Sequence, residues 1–281
     1  MSKGTILVIG SSVDTITLKD GSREHAGFYL NEMVVPTQAV LAAGYDMVLA
    51  TPSGLAPVLD PQSAVSSYFG DSEVALQQAL DFVASYPAMQ KPRSLRSVVD
   101  EGIDRYAAVY VPGGHPPMVD LMQDADLGEI LRRFHEAGKL TVLLCHGPVA
   151  LASAIPKAKE FRASLARGDM ENAKTLAAGW PYAGYRMTVF SNDEERWVER
   201  TYMDGREVPF FVNDALRIAG GNVEVSDRGI FNSHVVQDRE LITGQNPPSD
   251  QALAELFVRA LQGAESRDSG SSKTLAAADV G

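Results

Sequence analysis

Among 281 residues there is one cysteine, Cys145, followed at once by a histidine in the stretch TVLLCHGPVALASA at 141–154. A thiol beside an imidazole is the minimum equipment for covalent attack on a carbonyl, because the ring accepts the proton and the sulfur forms the bond. The apolar run before Cys145 reads as a strand, and the small-residue run after it reads as a helix. The cysteine therefore falls at a strand-to-helix junction, where the free N–H groups of a helix start favour a thiolate. A sharp turn of this kind exposes a nucleophile, as in the elbow of hydrolases. Gly147 supplies the room for close backbone passage that such a turn needs. A free cysteine is more commonly a small buried hydrophobe; the junction, His146 and Gly147 tip the reading towards a nucleophile.

Helpers are expected at the ends of neighbouring strands, since ligands of doubly wound sheets bind outside the carboxyl ends of the strands. VPGGHPP at 111–117 offers the N–H groups of Gly113 and Gly114 to a developing oxyanion, with His115 either a site residue or a turn residue. Gly113, Gly114, His115 and Gly147 are thus the candidate oxyanion and substrate-binding residues. Glu32, in YLNEMVVP, lies near the start of the helix after the first strand, on the same sheet edge. A carboxyl close to a thiolate is pushed up in pKa by burial and repulsion, and can stay protonated, bond the sulfur and pass protons. Its plainer role is an acid in a helix's first turn. An acid to orient His146 is available in VFSNDEERWVER, but composition alone leaves Asp193, Glu194 and Glu195 equivalent. His25, His135 and His234 are scattered. No histidine pair has metal-ligand spacing, and neither a dinucleotide fingerprint nor a Walker-type loop is present, so no metal or cofactor is expected.

These groups must be positioned by alternating strands and helices. Thr5–Ile9, the run DMVLATPSG, RYAAVYVPGG and Leu140–Leu144 read as short buried strands. Helices are expected at 30–43, with Pro36 setting a late start or a kink, and at 72–86 and 126–137. YRMTVF reads as a strand, PFFVNDALRIAGG as a helix, NVEV and ELITG as strands, and SDQALAELFVRALQG as a closing helix. The polar stretch 11–28 reads as a long loop, 156–179 as a helix-prone surface insertion, and 263–281 as a disordered tail. The pattern implies an α/β fold with a mainly parallel sheet covered on both faces, and the length allows one large domain or two small ones.

With 45% hydrophobic and 22% charged residues the chain has the mix of a soluble globular protein. A formal charge of −11 argues against nucleic acid or an anionic membrane as partner. One cysteine forms no internal disulfide, the start MSKGTILVIGSS is unlike a signal peptide, and no apolar run is long enough to span a bilayer. A cytoplasmic location is the expectation.

VYVPGGHPPMVDL, LLCHGPVAL, the early NEMVVP and AGYDMVLATPSG, and the late DRELITGQNPPSD together resemble the ThiJ/PfpI superfamily. That superfamily has the class I glutamine amidotransferase-like fold, and within it the motifs resemble the branch of glutathione-independent glyoxalase III and heat-shock chaperones. The resemblance covers most of 5–262 and implies a single domain at 1–262. It implies a flavodoxin-like three-layer sandwich with a cysteine nucleophile elbow, assembled as a homodimer. It also implies a triad of Cys145, His146 and Glu195, the last standing five residues after Phe190, with Glu32 hydrogen-bonded to the cysteine. The implied activity is conversion of methylglyoxal or a related small 2-oxoaldehyde to a 2-hydroxy acid through a hemithioacetal on Cys145. Alternatives on the same scaffold are a stress-response holdase, a cysteine redox sensor, or a thiol hydrolase or hydratase acting on an amide, isocyanide or peptide. Some chaperone members hold a metal near the early helix; TQAVLAAGYD has no histidine, so that site is expected to be missing. The two prolines of GGHPP are expected to reshape the pocket mouth, and 156–179 to cover the site or form an interface.

Overall fold

The computed structural model describes residues 2–264 in full and, beyond them, only the course of the last helix. Its strands are β1 (Thr5–Ile9), β2 (Thr15–Thr17), β3 (Arg23–His25), β4 (Asp46–Thr51), β5 (Arg93–Ser94) and β6 (Tyr106–Val111). They continue with β7 (Leu140–Leu144), β8 (Arg186–Met187), β9 (Asn222–Val223), β10 (Val235–Asp238) and β11 (Leu241–Gly244). The helices are α1 (Leu30–Ala42), α2 (Glu73–Ser85), α3 (Pro87–Gln90), α4 (Leu95–Glu101) and α5 (Ala125–Glu136). After them come α6 (Ala158–Ala166), α7 (Met170–Leu176), α8 (Asn192–Tyr202), α9 (Val212–Ala219) and α10 (Asp250–Ala278).

Seven strands form one sheet in the order β10-β11-β7-β6-β1-β4-β5, parallel throughout except for the β10–β11 pair. The central strands are unbroken apolar runs because both their faces are covered: Ile6–Ile9 and the residues 108–111 and 142–144 are all buried. From β1 the chain crosses outward through α1 to β4, and from β6 it crosses the other way through α5 to β7. With right-handed crossovers, α1 and α5 must then lie on opposite faces, α1 packing with α10 and α5 with the turns that follow β7. The reversal between β1 and β6 is the topological switch point, and the loops after β1, β6 and β7 open there.

Several elements differ from the sequence expectation. The stretch 11–28 holds the β2–β3 hairpin. The strand expected over 185–190 is only Arg186–Met187, paired with β9 outside the main sheet, because the following amides are committed elsewhere: Thr188 N–H to Thr243 Oγ1 and Phe190 N–H to the Cys145 carbonyl. The segment after Cys145 is a 3-10 helix, Gly147–Ala154, rather than an α-helix. The insertion at 156–179 folds as α6 and α7, with Phe161, Leu165 and Ala173 buried. Of the expected tail at 263–281, the structure describes the course of α10 as far as Ala278, with side chains only to 264, and residues 279–281 lie outside the described residues. Among the described residues, no helix is long and apolar enough to cross a membrane.

Candidate active site

Cys145 directly follows β7 with φ of 60°, in the left-handed region that a non-glycine side chain resists. The strain is held from both sides. Its N–H donates to the Gly244 carbonyl and its own carbonyl accepts the Phe190 N–H, each at 2.9 Å. Gly147 is required because a Cβ there would come within 2.5 Å of the Val111 carbonyl. The elbow is therefore built from three strand ends, with the sulfur at the floor of a pocket and the residue only 2% exposed.

Glu32 is delivered by the first turn of α1. That helix has no side-chain cap from Tyr29; instead Ser63 Oγ accepts the Leu30 N–H at 2.9 Å. Pro36 lies inside the helix without ending it. Lacking an N–H, it leaves the Glu32 carbonyl, four residues earlier, without a helical donor, and the buried Tyr110 hydroxyl of β6 donates to that carbonyl. The helix is thereby pinned to the sheet at the residue whose side chain enters the site. Glu32 Oε2 accepts the Gly113 N–H at 2.9 Å, while the buried Oε1 accepts nothing and is the oxygen left to carry a proton. Burial raises the carboxyl to about 8, opposed by the Cys145 side chain and the Gly113 amide. Glu32 is thus a neutral acid beside sulfur at pH 7.

Gly113 is where the two groups meet. A Cβ added there would fall 2.6 Å from both Cys145 Cβ and Glu32 Oε2, and 2.7 Å from the Leu144 carbonyl. Gly113→Ala is therefore expected to push thiol and carboxyl apart and destabilise the fold by about 1–3 kcal/mol. Thermal denaturation together with turnover checks this, and an active variant of unchanged Tm would contradict it. The Gly113 N–H, expected at an oxyanion, is committed to Glu32 and is not free for that role. The Gly114 N–H points at the Cys145 sulfur. Gly147 serves the backbone packing of the elbow and does not line the pocket.

Glu195 stands at the start of α8, whose capping box closes Ser191 and Glu194 on each other. Of the three acids left open by composition, Asp193 is 80% exposed at its side chain and pairs with Arg196. Glu194 is buried but faces away, accepting Phe231 N–H, Gln245 Nε2 and Asn246 Nδ2. Glu195 Oε2 meets His146 Nε2 at 2.7 Å, and Oε1 meets His115 Nε2 at 2.8 Å. Burial alone would raise the Glu195 carboxyl; the two histidines outweigh it and hold it far below the usual range. An ionised carboxylate only accepts, so both histidines present Nε2–H to it. His146 Nδ1 is then a bare acceptor, 3.3 Å from Cys145 Sγ.

The two rings, with centroids 4.4 Å apart, shift in pKa in opposite directions. Burial, joined by the charge of His115, lowers the His146 pKa against the pull of Glu195. In His115 burial is overcome by Glu195, and the pKa rises. His115 therefore holds a proton more readily than His146, and His146 is the ring more readily neutral. The thiol itself is pushed up, by burial first and then by Glu32, against the Gly114 amide. This reverses the expectation of a preformed thiolate, because an enclosed pocket desolvates the sulfur more than a short 3-10 helix stabilises it. The Glu32 contribution also vanishes when Glu32 is protonated, leaving a donor aimed at sulfur.

His115, His146 and Glu195 bring ligand-type atoms within 4.8 Å of one another. Linear spacing does not show this group, because its members are dispersed over three strand ends. Both Glu195 oxygens and both Nε2 atoms are already joined by hydrogen bonds, so a metal ion would have to break that bridge.

The pocket above the sulfur has a volume of about 140 Å³. Phe190, Phe231, Trp197 and Tyr202 form one wall, Tyr29 and Tyr68 the other, with Pro247 and Pro248 at the rim. No residue of 156–179 lines it; that segment acts from behind, where Arg162 Nε donates to the Met118 carbonyl and braces the turn after His115. The aromatic wall is absent from the sequence expectation.

Fold and site together define an α/β sandwich protein with a strained cysteine at the end of a central parallel strand and a His–Glu pair beside it. Within that class the chain belongs to the DJ-1/PfpI family, whose model matches residues 25–260, in agreement with the resemblance carried by its motifs. It is 27% identical over 262 residues to protein/nucleic acid deglycase HchA of Pseudomonas aeruginosa, covering 91% of this chain and 80% of that one. Among solved structures it is similar to the rapid encystment protein REP24 of Francisella tularensis, at 24% identity and a TM-score of 0.69 over 92% of this chain and 99% of that one. Glyoxalase III of Candida albicans shares the fold at 20% identity, with a TM-score of 0.69 over 92% and 97% of the two chains.

Proposed function

We propose that the protein converts 2-oxoaldehydes such as methylglyoxal to 2-hydroxy acids without glutathione, by covalent catalysis at Cys145. The observation that carries this reading is the pairing around one sulfur of a neutral base, His146 Nδ1 at 3.3 Å, and a neutral acid, Glu32. Sulfur adds to the aldehyde carbon and the thiol proton passes through His146 to the new hydroxyl, giving a hemithioacetal. His146 then takes the proton from that carbon while Glu32 gives one to the neighbouring carbonyl oxygen, forming an enediol. His146 returns its proton to the second carbon and Glu32 recovers one from the first hydroxyl, leaving a thioester. Water, activated by His146, hydrolyses it and restores the thiol. The aldehyde carbon is oxidised and its neighbour reduced, so the sequence balances with one water and no outside oxidant. The relatives named deglycase and glyoxalase III support this reading.

The alternatives fit less of the geometry. A peroxide sensor works through an accessible, low-pKa thiolate, whereas Cys145 is buried and its pKa is raised. Of the donors that a hydrolase of amides or peptides would aim at an oxyanion, the Gly113 N–H is committed to Glu32 and the Cys145 N–H to Gly244. Purified protein incubated with methylglyoxal or another 2-oxoaldehyde and no glutathione is expected to form the corresponding 2-hydroxy acid, and absence of any such acid would defeat the proposal.

The pH dependence follows from the two groups. His146 must be neutral and its pKa is lowered, so activity is expected to persist below the ordinary histidine range. Glu32 must be protonated, so kcat/KM is expected to fall as pH rises through about 8. Glu32→Gln, which stays neutral, is expected to be slower but to lack that basic limb. A basic limb unchanged in Glu32→Gln assigns it to another group.

A further inference from the structure

Resting on the reading just proposed, we infer that the preferred substrate is a 2-oxoaldehyde bearing an aromatic group, with phenylglyoxal as the model, rather than methylglyoxal. The ground is the wall above the sulfur. From His146 an unbroken series of rings leads outward: Phe190 stacked on the imidazole at 4.5 Å, Phe231 at 6.2 Å from Phe190, Trp197 edge-on to Phe231 at 5.0 Å, and Tyr202 edge-on to Trp197 at 5.5 Å. Rings at these separations offer edges and faces to a further ring. Tyr202 is 44% exposed, so the series reaches solvent.

The size agrees. An apolar cavity of about 150 Å³ takes up benzene, so the 140 Å³ above the sulfur admits a six-membered ring, and the wall open at Tyr202 lets a longer substrate extend towards solvent. The charge agrees as well. Among the described residues lining the pocket there is no lysine or arginine, and His115 is already paired with Glu195, so no free cation there offsets the desolvation of a phosphate or a free carboxylate. A neutral ring beyond the dicarbonyl satisfies both conditions. It would leave the aldehyde carbon at sulfur and the ketone between Glu32 and His146, and the product would be mandelate, formed with the same consumption of one water.

The test compares mandelate from phenylglyoxal with lactate from methylglyoxal, both without glutathione. Phenylglyoxal is expected to have the higher kcat/KM by about tenfold or more, the scale that a filled apolar subsite gives. Trp197→Ala and Tyr202→Ala are each expected to lower the ratio of the two kcat/KM values, Trp197→Ala by about tenfold. Tyr202 is partly exposed, so its variant reports on the subsite even if Trp197→Ala folds poorly. Lactate formed as efficiently as mandelate overturns this inference and leaves the proposed function standing. Formation of neither acid removes the proposed function, and this inference with it.

Discussion

Cys145→Ala is expected to keep the fold and lose turnover by about ten-thousand-fold or more, the scale seen when a covalent nucleophile is removed. The fold should survive because the elbow is held by backbone bonds, from Cys145 N–H to Gly244 and from Phe190 N–H to Cys145, and alanine keeps the same Cβ. The substitution removes only sulfur, so circular dichroism and Tm should stay near those of the parent while acid formation disappears. Retained activity would mean that the substrate's carbonyls are rearranged by Glu32 and His146 alone.

The second large effect is expected at Glu195. Glu195→Ala leaves two buried histidine N–H groups without an acceptor and the His115 charge without its partner. Breaking a buried pair in this way costs about 3–5 kcal/mol. The sign with pH is fixed by the direction of the shift. Glu195 is held below its ordinary value, so its contribution is present above the usual carboxylate range and is lost as pH falls into and below it. The Tm gap between parent and variant should therefore narrow in acid. Glu195→Gln, of the same shape, accepts from only one histidine and presents N–H to the other. It should fold better than the alanine variant yet still lose about a thousandfold or more in kcat, as misoriented catalytic histidines do. Asp193→Ala, at an exposed neighbour paired with Arg196, should change neither quantity. Loss of activity at Asp193 with none at Glu195 would reassign the acid.

How much of this was legible in the sequence follows from what each residue type reports. Continuous apolar runs give away doubly buried strands, so β1, β6 and β7 could be read directly, whereas their order, and with it the switch point, comes from the fold. The edge strand β10 has only Val236 buried, too little pattern to detect, and the hairpin 15–25 is polar enough to pass for loop. The run 185–190 looked like a strand because its residues are apolar; its amides turned out to serve the site and its neighbours. Cys145 with His146 was visible because the two are adjacent and sit at a junction. Glu195 could not be separated from Asp193 and Glu194 by composition, since all three suit a helix start; the family resemblance pointed to it and the bridge of Glu195 to two histidines sets it apart. His115 remained ambiguous because its partner lies eighty residues away. The aromatic wall was not legible either: Trp197 and Tyr202 lie on α8 and Phe190 just before it, but which of their faces meets Phe231 and the sulfur is set only in three dimensions.

The central claim is that carbon–sulfur bond formation at Cys145 precedes proton transfer between the two carbonyl carbons. It is tested most directly by quenching the protein in acid during turnover of methylglyoxal and mapping its peptides by mass spectrometry. The account predicts one lactyl group on the peptide containing Cys145, released by hydroxylamine as a thioester must be, and vanishing as the substrate is exhausted. Sustained lactate formation with the Cys145 peptide unmodified throughout would contradict it.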